Sequence, residues 1–118
     1  MAGILVVDDD SGLLGLVTML LKQRGHTVLA ASNGVEALMV YSSYRSSIDL
    51  VLSDVLMSGM NGVELAERLR AFNPALTILL MSGFVPDDIA IPADLQLIPK
   101  PFNPGRLIEV IEEALAAH

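Results

Sequence analysis

The chain has no cysteine in 118 residues. That excludes a disulfide framework, a thiolate nucleophile and a cysteine metal site, and it is compatible with a reducing cytosol. Basic residues are scarce as well: seven Lys and Arg stand against 14 Asp and Glu, for a formal net charge of −7. A surplus of negative charge argues against nonspecific binding to nucleic acid or to an anionic membrane, since both depend on positive groups meeting phosphate. It suits divalent cations and basic partner surfaces instead. Long apolar runs are missing, so no membrane span is expected, and Met1-Ala2-Gly3 lacks the basic segment and apolar stretch of a signal peptide. There is no low-complexity tract, internal repeat or interdomain linker. What remains is a 53% hydrophobic chain of ordinary domain size, read as one domain over 1–118 with a cytoplasmic location. The chain ends a few residues after its last helix, so any output module is expected elsewhere.

Apolar, β-branched runs alternate with helix-period segments, which predicts βαβ units and a parallel sheet. Strands are expected over 3–7, 26–31, 49–53, 76–81 and 95–98. The first helix spans about 11–24, with Leu13, Leu14, Val17, Leu20 and Leu21 inward, and stops at Gly25. The second starts at Asn33, with Glu36 three residues on as in a capping box, and runs to about Tyr44. The third repeats that device with Asn61 and Glu64, burying Val63, Leu65, Ala66 and Leu69, and pairs Glu64 with Arg68 on its outer side. The last has Asn103 as cap and Pro104 at the first helical position, followed by Leu107, Ile108, Ile111 and Leu115. Between the fourth and fifth strands, Pro86 and Pro92 leave room for little more than one turn, so a fourth helix is short or absent.

Chemistry-bearing residues recur at one kind of place, the end of an apolar strand. Asp8, Asp9 and Asp10 follow Ile4-Leu5-Val6-Val7; Asp54 follows Leu50-Val51-Leu52-Ser53; Ser82 follows Ile78-Leu79-Leu80-Met81; Lys100 follows Leu97-Ile98-Pro99. In a parallel sheet those ends share one edge. Three consecutive acids repel one another unless a cation, a helix N-terminus or water screens them. Mg²⁺ takes hard oxygen ligands and keeps several waters, so Asp8, Asp9 and Asp54 can supply enough of them. Taken singly, Asp54 reads equally as a solvated acid, Ser82 as a turn residue and Lys100 as an exposed cation. As a set they describe a carboxylate able to attack phosphorus, with a metal to neutralise charge and with a hydroxyl and an ammonium to meet the phosphoryl oxygens. The small, turn-forming residues of 55–62 predict an exposed Asp54 carboxylate.

Across essentially its whole length the chain resembles a response-regulator receiver domain of two-component signalling. The resemblance rests on Ile4-Leu5-Val6-Val7-Asp8-Asp9-Asp10, Asn33-Gly34-Val35-Glu36-Ala37-Leu38, Asp49-Leu50-Val51-Leu52-Ser53-Asp54, Met60-Asn61-Gly62 and Lys100-Pro101-Phe102, in the family's order and approximate spacing. It implies an α/β, flavodoxin-like, doubly wound five-stranded parallel sheet of order 2-1-3-4-5 with helices on both faces. It further implies that Asp54 is the phosphoacceptor and that Asp9, Asp54 and the backbone carbonyl of Leu56 hold Mg²⁺, with Asp8 acting mainly through water. Ser82 becomes the switch hydroxyl, Lys100 the phosphate-contacting cation, and the peptide before Pro101 is cis. The implied partners are a histidine kinase or a histidine phosphotransfer protein and a downstream effector. The domain would promote its own phosphorylation and later hydrolysis.

The chain departs from the family pattern at Ser58, where proline is usual, and at Leu97, where an aromatic switch residue is usual. A rotating ring therefore cannot report the phosphoryl state. Met81-Ser82-Gly83-Phe84 and the short segment after it resemble receivers of hybrid histidine kinases. A flavodoxin-like electron carrier would need a phosphate-binding loop where the aspartates stand, and a haloacid-dehalogenase-type phosphatase would need a second aspartate two residues after the first. An unphosphorylated pseudo-receiver serving as an interaction module is the main rival, and it would be expected to have lost Asp9, Asp54 or Lys100.

Overall fold

Strands with apolar side chains on both faces need cover on both faces, and the helices supply it. The computed structural model describes residues 2–117. Strands β1 (Gly3–Val7), β2 (Thr27–Ala31), β3 (Leu50–Asp54), β4 (Thr77–Ser82) and β5 (Gln96–Pro99) form one parallel sheet in the order β2-β1-β3-β4-β5. Helices α1 (Ser11–Gln23) and α4 (Pro104–Ala116) pack on one face, against Ile4, Val6, Leu50, Leu52, Leu79 and Met81. Helices α2 (Gly34–Tyr44) and α3 (Gly62–Phe72) pack on the other, against Leu5, Val7, Val51, Ile78 and Leu80. Alternate residues of each strand thus enter opposite cores, as the pleat requires. This is the flavodoxin-like arrangement expected from the sequence.

The helix ends follow their local chemistry. Asp10 caps α1, its carboxylate accepting from the N–H groups of Gly12 and Leu13, so this third acid serves the helix. Gly25 follows α1 with a φ of 88°, a conformation that glycine adopts without strain. Asn61 and Glu64 form a complete capping box on α3. Because Glu64 turns back to the Asn61 N–H at 3.0 Å, it does not pair with Arg68 as the spacing had suggested. On α2 only half of the box forms: Asn33 accepts from the Glu36 N–H, while the Glu36 carboxylate reaches one residue further, to Ser32.

Among the described residues no helix intervenes between β4 and β5. The segment 83–95 crosses the sheet as two turns closed by bonds from Ile89 N–H to Pro86 and from Leu95 N–H to Pro92. Ile89 and Ile91 lay their side chains on the α2 and α3 side of the core, which partly replaces a helix. The replacement is incomplete, since Leu97 on β5 stays 37% exposed. Among the described residues no helix is long and apolar enough to cross a membrane.

Candidate functional site

The sheet register brings the distant strand ends together. Val7 pairs with Ser53, Asp54 with Met81, and Ser82 with Pro99, so the residues after β1 and at the ends of β3, β4 and β5 share one edge. One carboxylate oxygen from each of Asp8, Asp9 and Asp54 lies within 4.8 Å of the other two. Ligand oxygens about a Mg²⁺ ion are roughly 3–4 Å apart, and all three donors are hard oxygens, so the cluster fits such an ion. The carbonyl of Leu56 accepts no hydrogen bond from the described residues and is available as a further oxygen.

Lys100 completes the cluster. Its Nζ lies 3.0 Å from Asp8 Oδ2 and 3.3 Å from Asp54 Oδ1. Burial works against the ammonium, but the hydrogen bond to Asp8 and the charges of both acids outweigh it and hold its pKa above the usual lysine range. Asp54 moves the other way from an ordinary ion-paired acid. Burial first, and the neighbouring charge of Asp8 second, push its pKa up, and Lys100 offsets them only in part. Three carboxylates facing one ammonium leave the edge short of positive charge.

Asp54 is buried, at 7% exposure, and this corrects the expectation of an exposed carboxylate. The loop after β3 does not stand away from the sheet. Val55 is fully buried beneath it, and Gly62 folds back so that its N–H reaches the Val55 carbonyl at 2.8 Å. A Cβ on Gly62 would sit 2.2 Å from the Asp54 carbonyl oxygen, so the glycine is required for that close approach. Gly59, at a φ of 78°, makes the turn. Sequence reading placed Gly62 in a motif without finding this role; its position at the first turn of a helix, after the loop that follows the strand-end acid, was the available signal. Ser53 was missed entirely: it is buried, and its hydroxyl donates to the Asp54 carbonyl at 2.9 Å.

Asp9 is exposed and accepts from the Ser58 N–H at 3.3 Å, a bond that proline at that position could not donate. Asp8 is 1% exposed and accepts from the Asp10 N–H at 2.9 Å. Ser82 ends β4 at the same edge, but its hydroxyl donates to the Phe84 carbonyl at 2.6 Å. The structure therefore gathers Asp8, Asp9, Asp54 and Lys100 into one contact set and holds the Ser82 hydroxyl outside it. The Lys100–Pro101 peptide is cis.

A family model described as the response regulator receiver domain matches residues 4–112. The receiver portion of the sensor kinase CckA of Brucella abortus is 37% identical over 116 residues, which is 95% of this chain and 12% of that protein. A crystal structure of a response regulator receiver domain protein from Clostridium thermocellum superposes with a TM-score of 0.91 at 29% identity, covering 99% of this chain and 96% of the other. That of the response regulator TrrA from Thermotoga maritima, in complex with Mg²⁺ and BeF, does so at 0.85 and 31% identity, covering 97% and 99%. The chain spans between 12% and 26% of the length of the curated relatives it matches.

Proposed function

The chain belongs to the response regulator receiver family, and from that membership we propose that it is a phosphorylation-driven switch whose acceptor is Asp54. Phosphorylation-mediated signalling is what the family implies; the acceptor, the ion and the donor are the proposal. The observation that carries it is the contact set itself, with the acceptor carboxylate buried beside two further acids and one lysine. TrrA, a relative of the same fold, was crystallised with Mg²⁺ and BeF.

Asp8, Asp9, Asp54 and the Leu56 carbonyl would hold Mg²⁺. When bound, the ion neutralises the carboxylates and the incoming phosphoryl oxygens. A histidine kinase or a phosphotransfer protein presents a phosphohistidine. An Asp54 carboxylate oxygen attacks phosphorus, a P–O bond forms as the P–N bond breaks, and the imidazole nitrogen leaves with the electron pair and takes a proton. Lys100 is already beside Asp54 and needs only to transfer a hydrogen bond to a phosphoryl oxygen. Ser82 has further to go, because it must give up the Phe84 carbonyl. That exchange links the acceptor to the 83–95 segment, which no helix stiffens, and so to a downstream effector. Hydrolysis of the acyl phosphate by water resets the switch. The shift extends only as far as the two arrangements differ in affinity for the phosphoryl group.

Incubation with acetyl phosphate, with and without Mg²⁺, tests this reading by intact mass. The expected result is a phosphoryl adduct that requires Mg²⁺ and is absent from Asp54→Asn. No adduct under any condition would favour a pseudo-receiver that acts by binding alone.

A further inference from the structure

Helix α2 is apolar on two sides. Its inner side, Gly34, Ala37 and Tyr41, is buried. Away from that side Val35 and Met39 are 62% and 67% exposed, and Leu38, half-buried against the core, lies between them and the inner side. A helix that meets only water there would carry polar groups, as α4 does with Arg106, Glu109 and Glu113. Leu38 leads from these residues into a groove of about 340 Å³ between α2 and α3, lined by Leu38, Tyr41, Ala71 and Phe72 with the exposed Arg45 and Arg68 at its rim. Phe72 is 69% exposed at its end.

The rim identifies the occupant. Arg24, Arg70, Lys100 and Arg106 each pair with a carboxylate. Arg45 and Arg68 form no ion pair among the described residues, nor does Lys22 on α1, away from the groove, although acids outnumber bases 14 to seven in this chain. Two unpaired cations flanking one apolar groove fit an amphipathic segment that carries carboxylates beside its apolar stripe. A two-fold copy of this chain would set the same arginines against one another at one groove. We propose that the α2–α3 groove docks an acidic amphipathic helix of a partner, apolar face inward, with its carboxylates on Arg45 and Arg68. The groove lies on the helical flank, apart from the acidic edge, and docking there does not depend on phosphorylation.

The probe is a synthetic helical peptide of about 16 residues, or some four turns, with leucines at three- and four-residue steps and glutamates flanking them. A control peptide carries glutamine for each glutamate. Both are titrated into the full chain and followed by amide NMR. The expected result is saturable shifts confined to 35–45 and 68–72 and tighter binding of the glutamate peptide. Arg45→Gln and Arg68→Gln should each weaken it about threefold, as rim ion pairs do, with spectra otherwise unchanged. Equal affinity for the two peptides, shifts centred on another face, or no saturable shift would overturn the proposal. So would shifts of these same residues on concentrating the chain alone, which would make a second copy the occupant.

Discussion

The two edges of the sheet treat negative charge in opposite ways. At the amino edge each acid is matched: Asp49 accepts from the Gly3 N–H at 2.9 Å, and Glu112 receives Arg24 at 2.9 Å and His26 at 3.1 Å. There charge fastens strands and α4 together. At the carboxyl edge Asp8, Asp9 and Asp54 face the single ammonium of Lys100. The result is visible in the shifts, since the Glu112 pKa is lowered by its hydrogen bonds from Arg24 and then His26, while that of Asp54 is raised by burial and by Asp8. An acid that is satisfied holds a fold together; an acid that is buried and undersupplied with cations is prepared to take one.

The largest effect should come from removing the acceptor. Asp54→Asn is expected to lose the phosphoryl adduct completely and, in the absence of metal, to melt higher than the parent, because folding no longer buries an ionised carboxylate against Asp8. A lower melting temperature would show that Lys100 already balances the edge. Next is Gly62→Ala, which forces a methyl against the Asp54 carbonyl; a loss of about 3 kcal/mol in denaturant unfolding is expected, with slower labelling.

Lys100→Ala should cost about 1 kcal/mol after allowance for partial exposure, a loss recovered on adding Mg²⁺. Its Mg²⁺ affinity by titration should be intact or slightly raised, since a cation leaves the site, while phosphorylation no longer moves the β4–β5 segment. Markedly weaker Mg²⁺ binding would contradict its role. The smallest effect belongs to the amino edge. Because the folded Glu112 pKa lies below its unfolded value, its contribution is present above the glutamate range and is lost as the pH falls through the folded value. Glu112→Gln should therefore melt slightly lower than the parent at neutral pH, match it in acid, and label normally.

Strand ends were legible because β1, β3 and β4 are uninterrupted apolar runs that close on a polar residue, and a parallel sheet converts such runs into a shared edge. Caps were legible for the same local reason at Asn61 and Asn103, whereas the capping role of Asp10 was hidden among three consecutive acids. The burial of Asp54 was not, because it depends on Gly62 returning against the strand, a contact that small residues permit but do not specify. Nor was the hydroxyl of Ser82 on Phe84, one staggered choice among three. The Glu64–Arg68 spacing misled because Glu64 had two suitable partners and the unsatisfied N–H at the helix start was the stronger.

Thermal unfolding across a Mg²⁺ titration, on the parent beside Asp54→Asn and Glu112→Gln, tests the contrast between edges most directly. The account predicts a melting temperature that climbs with Mg²⁺ for the parent and Glu112→Gln and stays nearly flat for Asp54→Asn, since only the carboxyl edge gains a ligand. A flat response in the parent, or an equal climb in all three, would contradict it.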